Sequence, residues 1–343
     1  MRVMVTGNLG YIGTVMAPLL RAHGYNVVGL DSDFYEDCGF GDAPPSIATR
    51  RKDIRDVEVS DLKGFDAVIH LAALSNDPLS DFNPQITYDI NYKASLKLAQ
   101  LAKTAGVQRF LFSSSCSVYG EARTEILTEE AVPSPITAYA ESKLLAERAI
   151  SKLADSDFTP IFLRSATAYG LSYKLRFDVV LNNLVAWAYT CGVVLLKSDG
   201  LAWRPIVHIE DISKAFMHML DAPKDLVHNQ VFNVGVQGEN YRVRELADIV
   251  KETVPNSRIE FAKDSGPDKR SYQVDFSKLA RTLPQLKLRW NARSGAKQLY
   301  NAYKKFGVVG EEFEGPKYRR LDHLKELIGS NKLDSALRWR NSD

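Results

Sequence analysis

Eight residues near the start, Thr6-Gly7-Asn8-Leu9-Gly10-Tyr11-Ile12-Gly13, constrain this chain more than any other stretch. They follow an apolar run, Val3-Met4-Val5, that reads as a buried strand. They open a segment, Thr14 to His23, that reads as a helix stopping at Gly24. A strand, a glycine turn and a helix in that order form a cradle for phosphate. Gly7 permits the tight turn and Gly10 lets a pyrophosphate approach the backbone. Gly13 lets helix and strand pack closely, and the helix N-terminus offers free N–H groups with a partial positive charge. The whole turn, Gly7 to Gly13 with Asn8, Leu9, Tyr11 and Ile12 between the glycines, is a candidate dinucleotide contact.

A second apolar run, Val27-Val28-Gly29-Leu30, ends in Asp31, eighteen positions after Gly13. A carboxylate at the tip of the second strand accepts hydrogen bonds from the adenosine ribose and repels a 2′-phosphate. No arginine follows it directly, for Ser32, Asp33 and Phe34 come next, so NAD is favoured over NADP.

With 343 residues the chain suffices for one large domain or two closely packed ones. Its 44 basic and 42 acidic residues nearly balance, which argues against a nucleic-acid partner. The basic pairs Arg50-Arg51 and Arg319-Arg320 sit among acidic residues and read as solvated surface. Cys38, Cys116 and Cys191 are far apart and odd in number, and no Cys-x-x-Cys or His-Glu-x-x-His spacing occurs. Neither a metal site nor a disulfide framework is expected, and a reducing cytoplasm fits. A strand pattern that begins at once argues against a signal peptide. The uncharged stretch Val179 to Leu196 changes character at Gly192 and reads as a buried helix followed by a strand, not as a membrane span.

Strand-like runs at Ala48 to Ile54, Ala67 to Ala73, Arg109 to Ser113 and Pro160 to Arg164 alternate with helical patterns, notably Asn91 to Ala105 and Tyr139 to Leu153. Such alternation predicts an α/β fold: a Rossmann-type, doubly wound parallel sheet. Ligands then bind beyond the carboxyl ends of the strands. The glycine turn, Asp31, Asp53, Ala72-Ala73 and Ser113 to Cys116 all fall at such ends. Residues 1–165 are expected to form the dinucleotide-binding domain, with a segment of about 203–235 returning to the sheet. Residues 166–202 and 236–343 are expected to form a smaller, partly helical substrate-binding portion and a charged, helix-prone tail from Glu311.

Tyr139-Ala-Glu-Ser-Lys143 falls on a predicted helix, where a spacing of four puts both side chains on one face. An ammonium beside a phenol favours the phenolate and lowers the tyrosine pKa, making a general acid/base for a sugar hydroxyl. Tyr300 and Lys304 repeat the spacing. Tyr139, however, follows the strand end Phe112-Ser113-Ser114-Ser115, whose last serine is placed to hydrogen-bond the same substrate oxygen. His70 and His208 lie in apolar strand contexts and read as structural.

These residues together resemble an extended short-chain dehydrogenase/reductase of the nucleotide-sugar epimerase/dehydratase branch. The matching motifs are TGNLGYIG, VVGLD, KDIRD, HLAA at His70 to Ala73, FSSSCSVYG, YAESK, LRSATAYG, RPIVHIEDI and DKRSYQVDFSK. The resemblance implies bound NAD and a nucleoside-diphosphate sugar as substrate, with no membrane partner. It implies a catalytic triad of Ser115, Tyr139 and Lys143. Asp53 and Ile54 would contact the adenine. Leu71, Ala72, Ala73 and Ser113 would line the cofactor, and Asn91 would support the site. The substrate would meet Ser115, Cys116, Ser117, Thr167 (where many relatives carry asparagine), Arg176, Arg204 and Arg270. Relatives pair through two helices per subunit, implying a homodimer through Asn91 to Ala105 and Tyr139 to Leu153.

Missing groups narrow the chemistry. The 4,6-dehydratases of this family carry an Asp-Glu pair where this chain has Cys116 and Ser117, and the decarboxylases keep a glutamate at the Ser117 position. Epimerases that move a proton on carbon place a cysteine there; Cys116 is one residue away and reads as buried filler. Hydride transfer at a carbinol carbon without elimination remains. The first reading is an NAD-dependent epimerase acting at C4 through a transient keto sugar. The alternatives are an NAD(P)H-dependent reductase of a keto-deoxysugar and a non-catalytic dinucleotide-sensing protein.

Overall fold

The computed structural model describes residues 1–121, 126–266, 268, 270–310 and 312–340. Lys269 of the DKRSYQVDFSK match and two parts of the predicted tail, Glu311 and 341–343, lie outside them. The strands are β1 (Arg2–Thr6), β2 (Asn26–Asp31), β3 (Thr49–Arg51), β4 (Ala67–His70), β5 (Arg109–Ser115), β6 (Ile126–Leu127) and β7 (Thr159–Ser165). They continue with β8 (Thr167–Tyr169), β9 (Val193–Ser198), β10 (Trp203–His208), β11 (Gln230–Val234), β12 (Asn240–Arg242), β13 (Arg258–Gly266) and β14 (Gln273–Val274).

Seven strands form one sheet in the order β11-β7-β5-β4-β1-β2-β3, and every pairing in it is parallel. The chain order reverses between β1 and β4. Connections leave to opposite faces there, and a crevice opens beyond the strand ends. Val3, Met4 and Val5 are fully buried, as are Val68 and Ile69 of β4. Covering both faces of a parallel sheet turns its strands into continuous apolar runs.

Two predicted strands are shorter than the sequence suggested. β3 ends at Arg51 because the Asp53 side chain accepts from the Arg55 N–H at 2.8 Å and caps a tight helical turn, Ile54–Asp56. β4 ends at His70, freeing Leu71 to Ala73 to line the crevice. The expected helix from Asn91 begins earlier, as a π-helical turn Tyr88–Ala94 that continues into the helix Ser95–Thr104. Of the 203–235 segment, β11 joins the large sheet, whereas β10 pairs with β12 and β8 in a separate sheet. The helix Val180–Cys191 ends at left-handed Gly192 and leads into β9, as the change at that glycine indicated.

Three apolar cores result. One face of the large sheet packs the helices Gly13–Ala22 and Ile209–Asp221. The other packs Phe110, Phe112, Phe158 and Phe162 with the helices Ser95–Thr104 and Ala138–Ser151. A third, around Tyr169, Phe177, Leu181, Leu299 and Tyr303, joins 166–202 to the later helices. The tail forms the helix Arg320–Gly329 and an antiparallel bridge between Leu333 and Trp339. Its Leu324, Leu327, Leu333 and Leu337 are buried in the second core, each contributing about 1.5–3 kcal/mol by burial.

Candidate active site

The glycine turn lies where the sheet reverses. Gly7 has φ +75°, and a Cβ there would stand 2.6 Å from the Ala72 N. The turn therefore presses against the end of β4. Gly13 works differently from the expectation: a Cβ on it would meet the Gly7 carbonyl oxygen at 2.3 Å, so it packs against its own turn. No side chain caps the helix that follows, and Thr14 and Val15 donate to the Gly10 and Ile12 carbonyls, so the N–H groups of Tyr11, Ile12 and Gly13 are the ones left for a ligand. Asp31 receives the Leu9 N–H at 2.9 Å and the Asp33 N–H at 2.8 Å. Burial pushes its carboxyl up, and these two donors oppose the shift. Such a bare, close-packed turn beside a fixed carboxylate fits a dinucleotide diphosphate and ribose.

A cleft of about 680 Å³ runs from this turn across the strand ends. Gly7, Leu9, Gly10, Tyr11, Ile12, Gly13, Asp31, Asp53, Ile54, Leu71, Ala72, Ala73 and Ser113 line its dinucleotide end. Ser115, Ser117, Tyr139, Lys143, Thr167, Arg176, Arg204 and Arg270 also line it. Two predicted contacts lie outside the lining. Asn8 turns beneath the loop, where its Nδ2 donates to Thr49 Oγ1 at 2.8 Å and its side chain fills the space beside Gly29. Cys116 is fully buried, and its Sγ donates to the Arg164 carbonyl at 3.1 Å. Burial pushes that thiol far up, so it offers the cleft no thiolate.

The helix Ala138–Ser151 carries Tyr139 and Lys143. Thr137 caps it, accepting the Ala140 N–H at 3.2 Å while donating to Asp77 Oδ1 at 2.8 Å. Ser115 Oγ accepts the Ser117 N–H at 3.1 Å, and its hydroxyl is near enough to Tyr139 to favour the phenolate. Lys143 Nζ donates to the Ser113 carbonyl at 2.7 Å and lies 4.8 Å from the Phe112 ring centroid. Burial lowers the Lys143 pKa to about 7. Burial also pushes the Tyr139 phenol up to about 12, against the neighbouring Ser115 hydroxyl. This corrects the expectation that Lys143 brings the phenol toward neutrality: the amine is itself desolvated and its nearest partner is a carbonyl. Tyr300 and Lys304 stand outside the cleft lining.

Asn91, fully buried on the π-helical turn, accepts the Leu74 N–H at 2.8 Å and donates to the Leu74 carbonyl at 3.0 Å and to Ser142 Oγ at 3.2 Å. It thereby ties the helix bearing Tyr139 to the segment after β4, and π-turns recur at functional places. His70 bridges Thr6 Oγ1 at 2.6 Å and Ser95 Oγ at 2.8 Å, and burial lowers its pKa to about 3. His208 caps the next helix through the Glu210 N–H and stacks on Trp290 at 3.9 Å. Both histidines are structural, as their contexts indicated.

At the other end Arg204 and Arg270 both grip Asp268, at 2.5 Å and 3.1 Å, and Arg270 also reaches Asp77 at 2.6 Å. Arg176 meets Asp178 through two bonds of 2.7 and 2.9 Å and donates to Ser75 Oγ at 2.8 Å. Burial works against the Arg176 charge, but Asp178 outweighs it and holds the guanidinium above its ordinary range. Sequence reading did not single out the cleft carboxylates Asp178 and Asp268, and it misplaced one cleft arginine. Arg320, read as solvated surface, is 2% exposed and lines the cleft.

The sequence model of the NAD dependent epimerase/dehydratase family matches residues 3–235. The chain belongs to this family. A UDP-glucose 4-epimerase of Corynebacterium glutamicum is 30% identical over 268 residues, covering 74% of this chain and 80% of the relative. A UDP-glucuronic acid decarboxylase of Arabidopsis thaliana is 28% identical over 302 residues, covering 84% of this chain and 66% of the relative. The solved complex of MoeE5 with UDP-glucuronic acid and NAD superposes with a TM-score of 0.77 at 28% identity, covering 89% of this chain and 99% of that one. This family member is thus an NAD-dependent enzyme of the extended short-chain dehydrogenase/reductase type with a Rossmann-type sheet. Among the described residues no helix is long and apolar enough to cross a membrane.

Proposed function

We propose that this enzyme is a nucleotide-sugar 4-epimerase. One observation carries the reading. The position after Cys116 on the cleft wall, where an eliminating or decarboxylating relative needs a carboxylate, holds the Ser117 hydroxyl, buried and without a hydrogen-bond partner among the described residues. A neutral hydroxyl neither abstracts a carbon-bound proton nor expels water. The similarity to a 4-epimerase supports the same reading.

NAD, when bound, supplies the hydride acceptor and donor. The chain's residues do the rest. Tyr139 takes the proton of the C4 hydroxyl and later returns it, and Ser115 holds the oxygen that changes between hydroxyl and carbonyl. Lys143 fixes the helix against Ser113. Arg204 and Arg270 exchange their shared Asp268 for the sugar nucleotide's diphosphate, for which a guanidinium fork is well shaped. Residues 166–202 and 236–343 serve as the substrate-binding portion. The enzyme works as a homodimer through the helices Ser95–Thr104 and Ala138–Ser151, in the cytoplasm, where its free thiols stay reduced.

The test is turnover in deuterium oxide with UDP-glucose and UDP-glucuronic acid as separate substrates. Inversion at C4 without deuterium entering the sugar carbons is expected. Loss of water or carbon dioxide, or consumption of added NADH in step with product, would overturn the reading.

A further inference from the structure

The C-terminal tail belongs to the dinucleotide end of the cleft. It contacts the loop that follows β2 at several points. Trp339 Nε1 donates to the Ser32 carbonyl at 2.6 Å, and His323 Nε2 donates to the Phe34 carbonyl at 2.9 Å. That bond fixes the tautomer, so His323 Nδ1 faces Cys38 Sγ at 3.5 Å as an acceptor. The tail also meets the turn that carries the expected adenine contacts. Arg338 pairs with Asp56 and, at 3.3 Å, with Asp53. Arg55 donates to the Ala336 carbonyl at 2.7 Å and to the Leu337 carbonyl at 3.0 Å.

Arg320 enters the cleft from this tail. Its Nη2 donates to the Lys174 carbonyl at 2.7 Å, and its guanidinium lies 4.2 Å from the Tyr35 ring centroid. Its Nη1, buried, has no hydrogen-bond partner among the described residues. Buried donors are nearly always paired, and a charged one left alone is costly. The charge of Arg320 is felt at Tyr11 of the glycine turn, at Tyr35 and at Asp178. Arg176 and Lys174 also line or approach this region, and among the described residues the carboxylate paired with Arg176 is Asp178. An anion is the missing partner, and the glycine turn is built for a diphosphate.

We propose that Arg320 donates through Nη1 to the diphosphate of bound NAD, and that Arg338 and Trp339 hold the adenosine loop so that the dinucleotide leaves slowly. The inference rests on the NAD-binding fold and not on which sugar or carbon reacts. Slow release is what a cofactor that is reoxidised within each turnover requires.

Binding to the NAD-stripped protein, measured by calorimetry, tests it. Arg320→Met should weaken ADP-ribose about tenfold or more, the scale of one charged hydrogen bond, and leave adenosine and UDP within about twofold. Trp339→Ala leaves Arg320 in place and should speed NAD dissociation about tenfold without changing UDP affinity. Unchanged ADP-ribose affinity would overturn the Arg320 assignment. So would an equal loss for adenosine, or a loss confined to UDP, which would give the arginine to the sugar nucleotide instead. Unchanged NAD dissociation in Trp339→Ala would overturn the clamp. Melting curves of the stripped variants check folding, and if Arg320→Met does not fold, Arg320→Lys must bind ADP-ribose more weakly than the parent.

Discussion

Lys143 Nζ donates to the Ser113 carbonyl at 2.7 Å, and this bond joins the helix bearing Tyr139 to the strand bearing Ser115. The amine therefore positions the Tyr139 helix against the strand end that carries Ser115. Tyr139→Phe removes only the oxygen proposed to transfer the proton, and turnover should fall at least about 10³-fold while NAD stays bound. Lys143→Met removes this tie and should lower kcat by about 10²-fold. Single-turnover kinetics with NAD content measured in parallel separate the two variants from loss of cofactor.

The same lysine shapes stability. Its pKa is about 7 in the folded chain and near 10.5 when unfolded, so between these values the unfolded chain binds more protons. Stability of the NAD-free protein should then rise as pH goes from about 7 to 10, by as much as a few kcal/mol from this group. His70 acts in the acidic range. Its folded pKa is about 3 and its unfolded value 6.5, so stability should fall as pH drops from 6.5 toward 3. Denaturant melts at several pH values check both, and Lys143→Met should flatten the alkaline limb alone.

Beneath the Ser115 end, Glu147 holds Arg164 through bonds of 2.7, 3.0 and 3.2 Å, with both side chains buried. Breaking one partner strands the other charge. Glu147→Ala should cost about 3–5 kcal/mol of stability, whereas replacing both residues with apolar ones of similar size should cost much less. Urea midpoints of the single and double variants decide it.

What the sequence made legible was local. A glycine turn, a strand-end carboxylate and a Tyr-Lys pair depend on spacings of a few residues, and backbone geometry carries those spacings into the fold unchanged. Even there the outcome depended on burial: the Tyr139–Lys143 spacing placed both groups in the cleft, but desolvation, which spacing does not report, moved both pKa values away from the activated state. Asn8 was misread because a side chain in a turn can face the sheet as easily as the ligand. Arg320 was misread because its partner, Lys174, lies far away in sequence, and charged neighbours in the chain suggested solvent. Composition does not disclose which surface a tail will cover.

Asp268 sets the last expectation. It neutralises both Arg204 and Arg270, and burial working against its charge is outweighed by those two guanidiniums, which hold its pKa below the ordinary carboxylate value. On the proposed reading a diphosphate displaces it. Asp268→Asn removes the competing charge but keeps the shape, so it should tighten UDP binding by up to about tenfold. Arg204→Ala should weaken UDP by about tenfold to a hundredfold, the scale of a charged hydrogen bond lost at a diphosphate, and leave ADP-ribose unaffected. Titration of the two variants with UDP and ADP-ribose checks the signs, and weaker UDP binding in Asp268→Asn would mean that the carboxylate positions the arginines more than it occupies them.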